Sequence, residues 1–261
     1  MSIIQSTAKS GTGGFYDYPI ENSLRFDGSS YLSRTSDSNG NSNTWTYSLW
    51  VKRSALDSDM HLLSEEGGGH ATNTNISFCS FRNTNILNNY SYYSGGNIYD
   101  VRSTAVYRDT NAWYHIVFVL DLTNGTAGDR EAIYVNGKLV SDNHITDGSS
   151  SNPSRINSGN SVLIGNESAR YRYPFKGYLA NIQFIDGQAL DPYFFGESKN
   201  GVWIPYNAFS TAGSGTATAS DGDTATDSYG TNGFHLTFED ATSTTTLGYD
   251  YSGNNNHWTL N

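Results

Sequence analysis

Residues 113–140 read WYHIVFVLDLTNGTAGDREAIYVNGKLV, and this stretch constrains the fold more than any other. Tyr114, Ile116, Phe118, Leu120 and Leu122 fall on one purely apolar face, with the two-residue period of a β-strand. Trp113, His115, Val117, Val119 and Asp121 make a mixed opposite face, which predicts a central strand whose second face is partly covered. DLTNGTAGDR (121–130) is a turn-rich loop. Beyond it, apolar residues run into Asn136-Gly137 and out again. That dipeptide suits a type I′ hairpin turn, because both turn residues need φ > 0. Val135 is therefore expected opposite Lys138, and Tyr134 opposite Leu139.

Other segments follow the same period. In WTYSLWVKR (45–53), Trp45, Tyr47, Leu49 and Val51 share one face. In KGYLANIQFIDG (176–187), alternation predicts Tyr178, Ala180, Ile182 and Phe184 facing inward. SLRFDGSSYL (23–32) reads as two short strands about an Asp-Gly turn, and SVLIG (161–165) and FHLTF (234–238) as further strands. No stretch of ten residues carries a helical period. Charged residues make up 15% of the chain against 14% aromatics, with 19 Tyr and 27 Gly, a composition of strands and turns. Short strands separated by turns indicate an all-β sandwich, and 261 residues suffice for a large core. Residues 1–20, Gly- and Ser-rich and then aromatic, read as an N-terminal arm. Residues 21–190 read as the sandwich, and residues 191–261 as a C-terminal extension with a long polar surface loop at 209–231.

Several functions are disfavoured. A formal charge of −10 repels phosphate backbones and anionic membranes, so nucleic acid is not an expected partner. No apolar run approaches the ~18 residues of a membrane span. Cys79 is the only cysteine, which rules out an intrachain disulfide, and MSIIQSTAKSGTGG has no apolar core of signal-peptide length. The six histidines show no zinc-protease spacing, and there is no Gly-x-Ser-x-Gly elbow or phosphate loop. His115 reads as a hydrogen-bonded structural residue. Two carboxylates that act together from one strand must sit two residues apart, so that both point to the same face. Here the nearest pairs, Glu65-Glu66 and Glu239-Asp240, are adjacent and so point to opposite faces. No catalytic residues are expected.

Six phrases in order, FDGSSYLSR, WTYSLWVKR, WYHIVFVLD, IYVNGKLV, LIGN and FKGYLANIQFIDGQAL, resemble the laminin-G-like, concanavalin A-like lectin/glucanase domain over roughly residues 22–190. That resemblance implies an antiparallel two-sheet jelly-roll sandwich. QALDPYFFGESKNGVWIPYN (188–207), YGTNGFHLTFED (229–240) and LGYDYSGNNNHWTLN (247–261) are similar to segments of virion proteins from marine tailed phages. They imply a non-enzymatic virion surface protein, a capsid decoration or tail-associated component, made in the host cytoplasm. Its partners would be other virion proteins in a symmetric oligomer. The alternative is a lectin contacting host surface glycans, and a glycoside hydrolase comes third.

Glycan recognition needs aromatic platforms beside polar groups. NNYSYYSGG offers Tyr90, Tyr92 and Tyr93, and ARYRYPF interleaves Arg170 and Arg172 with Tyr171 and Tyr173. The same residues suit a protein contact, and tyrosines at alternate positions also simply pack on a sheet. The resemblance also brings calcium, for which Asp221, Asp223 and Asp227 in SDGDTATD are candidates, although their spacing departs from an EF-hand and also suits a solvated loop.

Overall fold

A computed structural model describes residues 15–36, 38–66, 75–141, 143–167, 172–210 and 213–261. Among these the strands run β1 (Leu24–Asp27), β2 (Leu32–Thr35), β3 (Thr44–Arg53), β4 (Met60–Glu66), β5 (Asn75–Phe81), β6 (Leu87–Tyr93), β7 (Gly96–Arg102), β8 (Tyr114–Asp121), β9 (Glu131–Val135), β10 (Lys138–Leu139), β11 (Asn143–Thr146), β12 (Ser161–Ile164), β13 (Lys176–Asp186), β14 (Gly196–Lys199), β15 (Val202–Pro205), β16 (Thr216–Thr218), β17 (Thr224–Thr226), β18 (Phe234–Leu236) and β19 (Thr259–Leu260). Two large antiparallel sheets form a sandwich. One has the order β1-β13-β3-β8-β9-β10, with β18 also pairing β13. The other has the order β11-β7-β6-β5-β4-β12-β2-β19. Two short hairpins, β14-β15 and β16-β17, lie outside both sheets.

The central strands behave as their period demands. Trp45, Tyr47, Leu49 and Val51 of β3 are fully buried between the sheets beside Ile116, Phe118 and Leu120 of β8. Burial of each such side chain stabilises the fold by roughly 1.5–3 kcal/mol. The hairpin has the expected register, Lys138 opposite Val135 and Leu139 opposite Tyr134. Asn136 and Gly137 take φ of 49° and 78°, both in the left-handed region the turn requires. The Asp27-Gly28 turn joins strands of different sheets, since β1 pairs β13 and β2 pairs β12. The chain crosses the sandwich at its first turn.

Strand β13 departs from simple alternation. Ala180 pairs with Trp50 and Gln183 with Ser48, so β13 carries one extra residue. Asn181 absorbs it with a φ of 45°. The bulge reverses the parity, so Leu179 faces the core before it and Ile182 and Phe184 after it. Tyr178 and Ala180 lie opposite Lys52 and Trp50 on the outer face, contrary to the inward position expected for them. Asn181 Oδ1 accepts from Tyr18 Oη at 3.1 Å and lies 2.6 Å from His235 Nε2, so the described end of the arm docks on this bulge.

The second departure is residues 209–231, which do not form a loose polar loop. They carry β16 and β17, and they bury Phe209, Ala217, Ala219 and Tyr229. With Leu190, Phe194 and Phe195 these side chains close over Val117 and Ile185 on the outer face of the seven-stranded sheet. The small apolar residues among the Thr and Ser of this stretch supply the packing. Trp203 on β15 lies over the same face, its ring against Gly137 and Gly196, where an added Cβ would collide with it. The molecule is thus layered as eight-stranded sheet, core, seven-stranded sheet, second core and extension. The outer face of the eight-stranded sheet has no comparable cover among the described residues.

Candidate functional site

The open face carries aromatic side chains because β5 and β6 alternate. In NISFCSF, Cys79 and Phe81 go to the main core while Ile76 and Phe78 point outward. Register sets Ile76 opposite Tyr92 and Phe78 opposite Tyr90. Two irregularities complete the surface. In β4 an extra residue lets both Leu62 and Leu63 enter the core while His61 turns outward. In β7 the extra residue Ile98 enters the core and Asn97 reaches the open face, where its Oδ1 accepts from Tyr90 Oη at 2.9 Å. The Tyr173 carbonyl accepts from the His61 N–H at 2.9 Å, which fixes Tyr173 beside this row.

The rings then form a continuous file. Tyr173 lies 5.0 Å from His61, His61 stacks on Phe78 at 4.2 Å, and Phe78 stacks on Tyr90 at 4.9 Å between centroids. With Ile76 and Tyr92 they line a groove of about 510 Å³, rimmed by Asp59, Arg82, Asn97, Asp100, Arg102 and Glu167. That volume suits a small ligand.

The charges on the rim come in pairs. Asp100 is buried and takes Arg102 Nε at 2.9 Å and the terminal nitrogen at 2.6 Å, with Asn88 Nδ2 adding a third bond at 2.9 Å. Arg82 Nε is 3.6 Å from Asp59, which also accepts the Asn83 N–H at 2.8 Å. Arg172 Nε is 3.5 Å from Glu167. His61 is neutral, because burial, aided by Arg82, pushes its pKa down to about 3. Its Nδ1 is buried and has no hydrogen-bond partner among the described residues. The groove thus combines flat apolar surface, arginines that stay partly exposed beside their carboxylates, and one buried imidazole nitrogen without a hydrogen-bond partner among the described residues.

Of the residues expected to bind, Tyr90, Tyr92 and Tyr173 meet in this groove. Arg172 stands 5.5 Å from the Tyr173 ring and holds Glu167. Tyr93 leaves the groove because it follows Tyr92 directly on a pleated strand, and its ring lies under Arg155 at 4.1 Å. Arg170 and Tyr171 lie outside the described residues. His61, Phe78, Asp59, Arg82, Asn97, Asp100, Arg102 and Glu167 join without having been anticipated. Only the NISFCSF alternation signalled any of them in the sequence.

Asp221 and Asp223 come together with Asp191, their donor oxygens within 4.8 Å of one another, while Asp227 departs. Asp227 accepts the Ser210 N–H at 2.9 Å and the Ser210 hydroxyl, which ties the end of β17 to the segment that follows β15 within the extension. Burial and the two neighbouring carboxylates raise the Asp191 carboxyl, opposed by the Tyr193 N–H it caps.

Two buried constellations resemble catalytic ones and are not. Ser48 Oγ lies 2.9 Å from His115 Nε2, but His115 Nδ1 accepts from Trp203 Nε1 at 2.9 Å. The indole is a donor only, so the imidazole proton sits on Nε2 and points at the serine, and this histidine cannot take the serine's proton. Its pKa is pushed down to about 3 by burial. Glu65 is buried, and its oxygens accept the N–H groups of Asn157, Ser158 and Asn160, so it anchors a loop.

The sandwich and its open groove define a lectin-like β-sandwich. Residues 26–192 match the family described as the concanavalin A-like lectin/glucanases superfamily, and the chain belongs to it. No curated protein matches it significantly. Among solved structures it is similar to a native heptameric SAP-like pentraxin from Limulus polyphemus, with 18% identity, 64% of this chain and 76% of that chain covered and a TM-score of 0.46. It is also similar to the CBM40 of the Ruminococcus gnavus IT-sialidase, with 14% identity, coverage of 66% and 92% and a TM-score of 0.47. A third is domain 4 of AbnA, a GH43 extracellular arabinanase from Geobacillus stearothermophilus, in complex with arabinotriose, with 20% identity, coverage of 71% and 80% and a TM-score of 0.48.

Proposed function

We propose that the protein is a non-catalytic carbohydrate-binding module whose ligand lies along the groove of the eight-stranded sheet. The observation that carries the proposal is the file Tyr173–His61–Phe78–Tyr90 flanked by arginine–carboxylate pairs. A pyranose presents C–H groups on its faces and hydroxyls around its edge. Aromatic floor and charged rim answer these two surfaces separately. Membership of a lectin and glucanase family supports the same reading. Against glycoside hydrolysis stands the pairing of the rim carboxylates Asp59, Asp100 and Glu167 with arginines. A general acid needs a carboxyl kept protonated by its surroundings.

The test is a glycan array probed with the wild-type protein and with Tyr173→Ala, with and without chelator. Binding to one saccharide family that weakens in the variant supports the proposal. Release of reducing sugar, or array binding unchanged by the substitution, contradicts it. Calcium belongs to this proposal as an auxiliary ion. Its donors would be Asp191, Asp221 and Asp223 on the extension, and loss of binding in chelator would bring it in.

A second reading places the module on a tailed-phage particle, as a capsid decoration or tail-associated component. Its support is the resemblance of residues 188–207, 229–240 and 247–261 to virion segments, together with the position of residues between 190 and 229 that contribute the second core and leave the groove side open. Removal of residues 1–20 should then abolish attachment to the particle and leave glycan binding intact. Attachment unchanged by that truncation would count against the arm.

A further inference from the structure

At one end of the sandwich the two sheets meet around a carboxylate that the groove does not use. Glu131 opens β9 with its side chain on the buried side shared by Ile133 and Val135, and it is 1% exposed. Its Oε1 accepts the Gly148 N–H at 2.9 Å. Its Oε2 is buried and has no hydrogen-bond partner among the described residues. The imidazole of His144, on β11 at the edge of the other sheet, brings Nδ1 to 3.9 Å from that oxygen. Asp147, just past β11, places Oδ1 2.9 Å from the same nitrogen. The three donor atoms all lie within 4.8 Å of one another. Arg130 stands close by, but its guanidinium serves the carbonyls of Asn124 at 2.9 Å and Gly148 at 2.6 Å.

A buried carboxylate oxygen without a donor is unfavourable, and the His144–Asp147 bond does nothing for it. A cation between the three atoms satisfies them together. One imidazole nitrogen with two carboxylate oxygens is a donor set for zinc and its neighbours, whereas calcium and magnesium take oxygen alone. Zinc bonds of about 2.0–2.1 Å at tetrahedral angles set neighbouring donors roughly 3.3 Å apart. The observed separations of 2.9 and 3.9 Å bracket that value. We propose that Glu131, His144 and Asp147 bind one divalent transition-metal ion, zinc by preference, which clips the two sheets together with solvent completing its coordination.

The experiment is calorimetric titration of the full-length, untagged protein with zinc chloride. It is paired with the absorption spectrum of the cobalt(II)-loaded protein and a thermal melt with and without metal. The wild type should bind one equivalent at this site, show the d–d bands of cobalt bound through nitrogen and oxygen, and melt a few degrees higher. His144→Ala and Asp147→Asn alter side chains that are 20% and 40% exposed, and each should weaken this binding at least tenfold without changing the metal-free melt. Glu131→Gln should do the same where it folds. No uptake by the wild type, or equal uptake by His144→Ala and Asp147→Asn, overturns the proposal, the cluster then being an ion pair.

Discussion

The two sheets turn their outer faces to very different fates. On the seven-stranded sheet, Val117 and Ile185 are sealed beneath Phe194, Phe195, Phe209 and Tyr229, and His115 is sandwiched between Trp50 and Trp203. On the eight-stranded sheet, Ile76 and Phe78 lie beside Tyr90, Tyr92 and His61 and border an open groove among the described residues. Both faces are aromatic and both hold a neutral buried histidine, yet one is closed by the chain itself and the other stays open among the described residues. Aromatic content alone therefore does not mark a binding face. What distinguishes the open one is its rim of arginine–carboxylate pairs around an exposed groove.

The comparison breaks most visibly if the cover is damaged. Phe195 is fully buried in the second core, and Phe195→Ala should cost about 3–5 kcal/mol, read as a lower denaturation midpoint in urea. Molecules that remain folded should keep their groove affinity. A parallel loss of ligand binding would mean that the two faces are coupled.

Acid should act on both faces together. Burial pushes His61 and His115 down to about 3 and His235 to about 4. The unfolded chain protonates these rings below about pH 6.5 and the folded protein does not until far lower. Their contribution to stability is therefore complete above pH 6.5 and is lost as the pH falls toward 3, by on the order of 1 kcal/mol per pH unit for each ring. Urea midpoints measured from pH 7 to pH 4.5 should show the fall, and His115→Phe should make it less steep. An unchanged slope would show that His115 is protonated in the folded state.

A smaller effect tests the seal at its tip. Gly137 has a φ of 78°, and a Cβ there would lie 2.5 Å from the Trp203 ring, so Gly137→Ala should cost roughly 1–2 kcal/mol in the same assay. The smallest stability change belongs to the open face. Tyr92→Ala should alter stability by less than about 1 kcal/mol and weaken saccharide binding roughly two- to tenfold by calorimetry, the magnitude of one stacking contact.

Much of this architecture was legible in the sequence, and the failures have definite causes. The hairpin at Asn136-Gly137 and the buried face of Trp45, Tyr47, Leu49 and Val51 follow from local chemistry and appear as expected. Alternation failed in β13, because Asn181 adds a residue that no periodic pattern announces. Residues 209–231 misled because Ala217 and Ala219 are too small to stand out among Thr and Ser, although they fill the second core. In the groove, Tyr90, Tyr92 and Tyr173 were visible as platforms. His61, Asp100, Arg102 and Glu167 were not, since pairing among β4, β5, β6 and β7, two irregularities in it and the segment after β12 bring them together. Proximity of that kind is a product of register, and register is not written in any one segment.

The central claim is that the open face, and not the covered one, receives the ligand. Hydrogen exchange measured by mass spectrometry, with and without the saccharide best retained on the array, tests it most directly. The account predicts slower exchange across residues 75–102 and around Tyr173, with residues 191–230 unchanged. Protection of 191–230 with 75–102 unaffected would contradict it.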